Sequence, residues 1–256
     1  MPCQHREEDK NPTTPPPPSI LRRGGGDGGA GGDDGAAPRQ VWVPGPVIVG
    51  AGPSGLATAA CLKARGVPSL VLEKDACVAA SWRHRTYERL RLHLPRCFCE
   101  LPLAPFPPGT PPYPTRDQFV AYLDGYARAF GIEPRLGARV RSAAYDAAIG
   151  FWRVTADEGA EGGGATAATE FVSRWLVVAT GENAEPAWPE GVEGMDGYRG
   201  VAMHTSSYKK GDEFRGKNVL VVGCGNSGME VSLDLCNNGA KASMVVRDKV
   251  ISAQST

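Results

Sequence analysis

Val47-Ile48-Val49-Gly50-Ala51-Gly52-Pro53-Ser54-Gly55 decides the fold of this chain. Three apolar residues of strand type run into a G-x-G-x-x-G turn, and an alanine- and leucine-rich stretch, Leu56–Arg65, follows at once. In a strand–turn–helix setting one glycine makes the turn, one lets the backbone approach a pyrophosphate, and one lets helix and strand pack closely. The free N–H groups and positive dipole end of the helix then face the phosphates. Gly66 and Pro68 stop the helix, and Ser69–Leu72 reads as the next strand, ending at Glu73.

The same sentence is written twice. Val219-Leu220-Val221-Val222 leads into Gly223-Cys224-Gly225-Asn226-Ser227-Gly228, then a helix over Met229–Asn238, a stop at Gly239 and a strand over Ala242–Val246. Glycine occupies 33 of 256 positions, so the spacing alone carries little weight. Gly24, Gly26 and Gly29 fit it too, but inside a Gly/Asp run with no strand before it. Only the turns at Gly50 and Gly223 have the setting that gives the motif its meaning. Together they predict an α/β chain with two dinucleotide sites, one Rossmann-like domain and the first β-α-β unit of a second.

Glu73 and Arg247 each fall roughly 20 residues beyond their turns, where the adenosine ribose of a bound dinucleotide is read. A carboxylate accepts hydrogen bonds from ribose hydroxyls, so Glu73 suits FAD or NAD. A guanidinium pairs with a 2′-phosphate, so Arg247 suits NADP.

Composition sets the limits around these units. Residues 1–44, with Pro15–Pro18 and the Gly24–Gly35 tract, are too poor in core formers to fold and read as a disordered tail. The remainder is long enough for a sizeable core. Acidic and basic residues balance at 28 each, which gives no argument for nucleic acid or membrane surfaces. The basic stretch Arg83–Arg96, with five arginines and two histidines, reads either as a solvated face or as a surface that meets phosphates. No apolar leader opens the chain, and the longest apolar run, Val47–Leu62, is too short to span a bilayer. With seven cysteines and no secretory features, reduced thiols in the cytoplasm are the expectation. His93, Cys97 and Cys99 lack a second ligand pair, so no metal is expected.

Between the units, Pro102–Pro114 is proline-dense loop. Thr115-Arg116-Asp117-Gln118 is capping-box-like and opens a helix whose Phe119, Tyr122, Leu123 and Tyr126 form a core stripe. Val140–Asp146 and Phe151–Thr155 read as antiparallel strands, Gly159–Gly164 as a hairpin loop, and Phe171–Ala179 as one returning buried strand.

This pattern resembles the flavin-containing monooxygenases, and among them the plant YUCCA-type indole-3-pyruvate monooxygenases. The family motif aromatic-x-G-x-x-x-H-x-x-x-Y/F is matched by Tyr198-Arg199-Gly200-Val201-Ala202-Met203-His204-Thr205-Ser206-Ser207-Tyr208. Val178-Ala179-Thr180-Gly181-Glu182-Asn183 is similar to its A-T-G motif, and Ser81–Tyr87 with Leu90–His93 to its flavin-side segment. The resemblance implies that Gly50, Ala51, Gly52, Pro53, Ser54, Gly55, Glu73, Lys74, Trp82 and Arg83 hold FAD. It implies that Gly223, Cys224, Gly225, Asn226, Ser227, Gly228 and Arg247 hold NADPH, with His204 and Asn183 supporting both. Residues 45–190 would be the FAD domain with its β-meander, 191–216 a connecting segment, and 217–256 part of the NADP domain. The implied reaction uses NADPH and O2 to convert an arylpyruvate into an arylacetate with loss of carbon dioxide, an auxin-forming step; no catalytic acid or base is assigned.

Family members continue well past one β-α-β unit of the second domain, so the resemblance also implies a shortened chain. That leaves a second reading, a fragment that binds nucleotide or a full-length partner without turnover. A third, a flavin disulfide reductase, needs a redox cysteine pair, and Cys97-Phe98-Cys99 has the wrong spacing for one.

Overall fold

The first element is β1 (Arg39–Trp42), after which the chain turns at Gly45 and runs into β2 (Val47–Val49). The computed structural model describes residues 39–159, 167–189 and 191–246; residues 1–38 of the tail expected over 1–44, all but Gly159 of the loop expected over Gly159–Gly164, and the site expected at Arg247 lie outside them. Arg39–Trp42 falls inside the stretch expected to be disordered, yet it is a strand, pairing in parallel with residues 169–172. Its sequence, Arg-Gln-Val-Trp, carries little strand signal alone. The partner that completes its ladder lies far along the chain.

The β2 strand leads through the first glycine turn into α1 (Pro53–Lys63), then β3 (Leu70–Leu72), the short α2 (Ala80–His84) and α3 (Arg116–Ala129). A meander follows: β4 (Ala138–Asp146), β5 (Phe151–Glu158) and β6 (Ala167–Ser173). Next come β7 (Leu176–Val178), β8 (Asn218–Val222), α4 (Asn226–Asn237) and β9 (Lys241–Val245). Among the described residues the strands form three sheets: a parallel one in the order β3-β2-β7, a mixed one in the order β1-β6-β5-β4, and the parallel pair β8-β9.

In the first sheet β2 is central, with Val47 and Ile48 fully buried. Three-residue apolar strands without alternation are what a parallel sheet covered on both faces requires. From β2 the chain passes to β3 on one side and comes back as β7 on the other. The carboxyl end of β2 is therefore the point where strand order reverses, the place at which open α/β sheets bind ligands.

The strand expected over Phe171–Ala179 is two strands in two sheets. The Ser173 hydroxyl, wholly buried, lies 2.8 Å from the Gly45 carbonyl and accepts from the Trp175 N–H. The chain bends there, at Arg174–Trp175, and carries β7 from the meander into the parallel sheet.

The α3 helix forms as its sequence predicts. Thr115 Oγ1 accepts from the Gln118 N–H, and Gln118 Oε1 accepts from the Thr115 N–H at 2.9 Å. Its stripe of Phe119, Tyr122, Leu123 and Tyr126 packs on Leu56 and Ala60 of α1. Prolines leave the 102–114 loop short of N–H donors, and the helix supplies hydroxyls instead. Tyr122 Oη donates to the Ala104 carbonyl at 2.7 Å, and Tyr126 Oη to that of Pro102 at 2.8 Å.

Candidate functional site

The two glycine turns have the same geometry. Gly50 and Gly223, each directly after a strand, sit at φ +107° and +104°, which favours a residue without Cβ. A methyl on Gly55 would fall on the Gly50 carbonyl oxygen, and one on Gly228 on that of Gly223, so both last glycines are demanded by helix–turn contact. The middle glycines differ: a methyl on Gly52 or Gly225 meets no protein atom within 4 Å. No described protein atom requires those two to be glycine. Gly52 and Gly225 are also the N-caps of α1 and α4, and neither helix has a side-chain cap. Their first N–H groups, from Ser54 in α1 because Pro53 has none and from Asn226 in α4, remain available to an anion.

The first turn opens on a cavity of about 510 Å³. Gly50, Gly52, Pro53 and Ser54 line one side; Glu73 and Lys74, at the end of β3, line another. Ala138, Arg139 and Val140 of β4 complete it, a contribution with no signal in the sequence because only the meander's docking creates it. Ala51 and Gly55 stand behind the surface. Glu73 is nearly buried: one carboxylate oxygen accepts from the Ala51 N–H at 2.7 Å and the other from Asp75 N–H at 3.0 Å. The acid expected to read a ribose thus also braces the turn that would hold the pyrophosphate. Lys74 Nζ pairs with Glu185 at 2.5 Å across the same cavity.

A second cavity, about 720 Å³, lies beside it. Trp82, Thr180, Gly181 and Glu182 line both, forming a shared wall at the end of β7. The far side carries His204 and, from the start of α4, Asn226 and Ser227; Asn183 also lines it. His204 Nδ1 accepts from the Ser206 N–H at 3.2 Å and lies 2.9 Å from Ser206 Oγ. In the neutral ring this acceptor role leaves the proton on Nε2.

Other expected residues sit elsewhere. Arg83 lines neither cavity; its guanidinium pairs with Asp124 of α3 and donates to the Val78 carbonyl, so it fastens α2 to α3. Gly223, Cys224, Gly225 and Gly228 keep the turn's geometry but line neither cavity. Among the described residues no cluster of side chains could hold a metal. Cys99 lines the second cavity, and burial pushes its thiol above the usual range, away from the thiolate that disulfide exchange needs.

Sequence reading missed what joins the two halves. Tyr208, the last residue of the 198–208 motif, is buried and donates to Asp234 of α4 at 2.6 Å. Burial first, and the bond to Asp234 second, hold its phenol well above the ordinary range, so it stays a donor. Lys209 Nζ reaches back to the carbonyls of His84 and Thr86 at 2.6 and 3.2 Å. Tyr87, Leu90 and Tyr208 share one apolar cluster with Val221, Val231 and Leu235. Neighbouring residues of one segment therefore hold both nucleotide units; the motif named the segment but not these bonds.

Two crevices share a wall, one bordered by the first glycine turn and the other by Asn226 and Ser227 of the second, an arrangement that suits a fold with two nucleotide sites. The pattern of the pyridine nucleotide-disulphide oxidoreductase family matches residues 47–256, and the chain belongs to that family. It is 63% identical over 212 residues to the indole-3-pyruvate monooxygenase YUCCA1 of Oryza sativa subsp. japonica, covering 83% of this chain and 50% of the relative. To YUCCA6 of Arabidopsis thaliana it is 59% identical over 217 residues, covering 84% and 50%. A flavin-containing monooxygenase from Stenotrophomonas maltophilia superposes with a TM-score of 0.70 at 25% identity, over 82% of this chain and 59% of that one. The chain spans about half the length of the curated relatives it matches. No helix among the described residues is long and apolar enough to cross a membrane.

Proposed function

We propose that this chain binds FAD in the first cavity and NADPH in the second, and serves the oxidative decarboxylation of indole-3-pyruvate to indole-3-acetate with O2. The observation that carries this reading is the repeated turn: Gly50 and Gly223 share one positive-φ geometry, α1 and α4 start without side-chain caps, and Gly52 and Ser54 line the first cavity as Asn226 and Ser227 line the second. FAD fits the first cavity: Gly52, Ser54 and the free amides of α1 suit its pyrophosphate, and Glu73 with Lys74 suits its adenosine. FAD, when bound, supplies the hydride and oxygen chemistry that no side chain here can perform. The chain's own residues bind, orient and exclude water. Trp82, at 4.6 Å edge-to-face on Phe119, is held as an apolar wall between the cavities. His204, its Nδ1 engaged, presents an Nε2–H donor that suits the amide of a nicotinamide. Asn226 and Ser227 suit the NADPH pyrophosphate. Domain limits at 45–190, 191–216 and 217–256 belong to the same proposal.

The test is reconstitution of the purified chain with FAD, followed by NADPH oxidation with indole-3-pyruvate and mass detection of indole-3-acetate. A chain that stays colourless after reconstitution overturns the reading. A second reading, nucleotide binding without turnover, is favoured by the exposed outer face of β8–β9, where Leu220, Val222 and Val245 are uncovered. A yellow chain that oxidises no NADPH would select it.

A further inference from the structure

The basic stretch Arg83–Arg96 contains more charge than the cofactor sites use. Its arginines are largely spent on protein partners. Arg83 pairs with Asp124, Arg85 with Asp75 and the Ala184 carbonyl, Arg89 with Glu230 and Asp234, and Arg96 with the Thr110 carbonyl. Arg91 is different: it has no acidic partner among the described residues, and its one recorded bond is a long 3.3 Å contact with the Tyr113 carbonyl. Arg91 lines the second cavity, and so does His93.

The backbone there is rigid. The Leu92 N–H donates to Pro114 O at 2.9 Å, the Arg116 N–H to Leu90 O at 2.8 Å, and Arg91 bridges Thr115. In this extended run Leu90 and Leu92 are buried, while Arg91 and His93 fall on the opposite, exposed side. The cavity therefore has two unlike ends. One carries Asn226, Ser227 and His204; the other sets two cationic or donor groups beside Leu90, Leu92 and Leu94. Among the described residues the one acid in its lining, Glu182, stands on the wall shared with the first cavity.

We infer that Arg91, with His93 beside it, binds the carboxylate of the substrate at the rim of the second cavity, with the aryl ring directed into that cavity. This rests on the reading above and adds to it: the ligand class is an aryl 2-oxo acid taken as its anion, and Arg91 sets the preference for an acid over a neutral aryl ketone or alcohol. An unpaired guanidinium gains a charge-assisted, bidentate pair with a carboxylate at no cost of breaking a protein ion pair. The 2′-phosphate of a dinucleotide is the competing anion. Its expected partner is Arg247, which lies outside the described residues.

Titration of the chain with indole-3-acetate and with indole-3-ethanol, read by saturation-transfer NMR, tests this without any turnover. The acid should bind the wild type more tightly than the alcohol. Arg91→Ala should weaken the acid about tenfold or more and leave the alcohol unchanged, Arg91→Lys should recover part of the loss, and all variants should unfold at the wild-type temperature. Equal binding of both ligands, an unchanged preference in Arg91→Ala, or a loss confined to NADPH would each overturn the inference. A chain that prefers the acid but takes up no FAD would instead sink the monooxygenase reading and leave this subsite standing.

Discussion

Two glycines of one turn separate folding from binding. Gly55→Ala places a methyl on the Gly50 carbonyl oxygen, an overpacking that costs on the order of 1–3 kcal/mol, so its urea midpoint should fall whether or not flavin is present. Gly52→Ala places its methyl in open space and should unfold like the wild type while FAD binding drops at least about tenfold, or about 1.4 kcal/mol. A Gly52→Ala chain that stays yellow contradicts the pyrophosphate assignment. Buried phenols add a pH dependence. Burial raises Tyr87, helped by Glu230, and Tyr126 each to about 12, and it raises Tyr208 beyond that. In the unfolded chain all three titrate near about 10. The folded state thus holds more protons above that value, and its stability declines as pH climbs. Denaturant midpoints should be flat in this respect below pH about 10 and fall steadily toward 12. Tyr208→Phe should remove part of that slope. Such effects are invisible in sequence, since a tyrosine's burial is decided by what packs over it.

At the scale of elements, α3 is the one whose sequence and structure agree throughout. Its capping residues are local, so the four letters Thr115–Gln118 are sufficient to place its start. Thr115→Ala removes the side-chain acceptor and should cost about 1 kcal/mol, measured by thermal unfolding. Because α3 carries Phe119 against Trp82 and Asp124 against Arg83, the same variant should loosen FAD as well as the helix. The strand β7 shows the opposite case. An apolar run from Phe171 to Ala179 has no local mark for changing sheets. The bend depends on Ser173 meeting Gly45, which lies at the far end of the FAD unit. β1 fails to read as a strand for the same reason, its ladder being supplied by β6.

At the scale of the whole molecule, one side of the β8–β9 pair packs on α4 and the other is exposed apolar surface. Such patches bind hydrophobic dyes and partners. Leu220→Gln with Val222→Thr should lower dye fluorescence clearly without lowering the unfolding temperature. An unchanged signal would mean that the patch is covered in solution. The packed side matters more for function. Through Tyr208, Asp234 and Lys209 it sets the position of one crevice relative to the other.

The sequence by itself determined both glycine turns, their helices and strands, the α3 stripe and the segment that bears His204. Each of these depends on steric demands or hydrogen bonds within a few residues, and such demands leave letters behind. Only the tertiary structure decided that Arg83 serves α3 and not a cavity, that Glu73 braces its own turn, and that Trp82 and Thr180–Gly181 wall both crevices. It also left Arg91 without an acid among the described residues. Those outcomes depend on which distant groups meet when the layers pack, and the charge or polarity of a residue does not encode its partner.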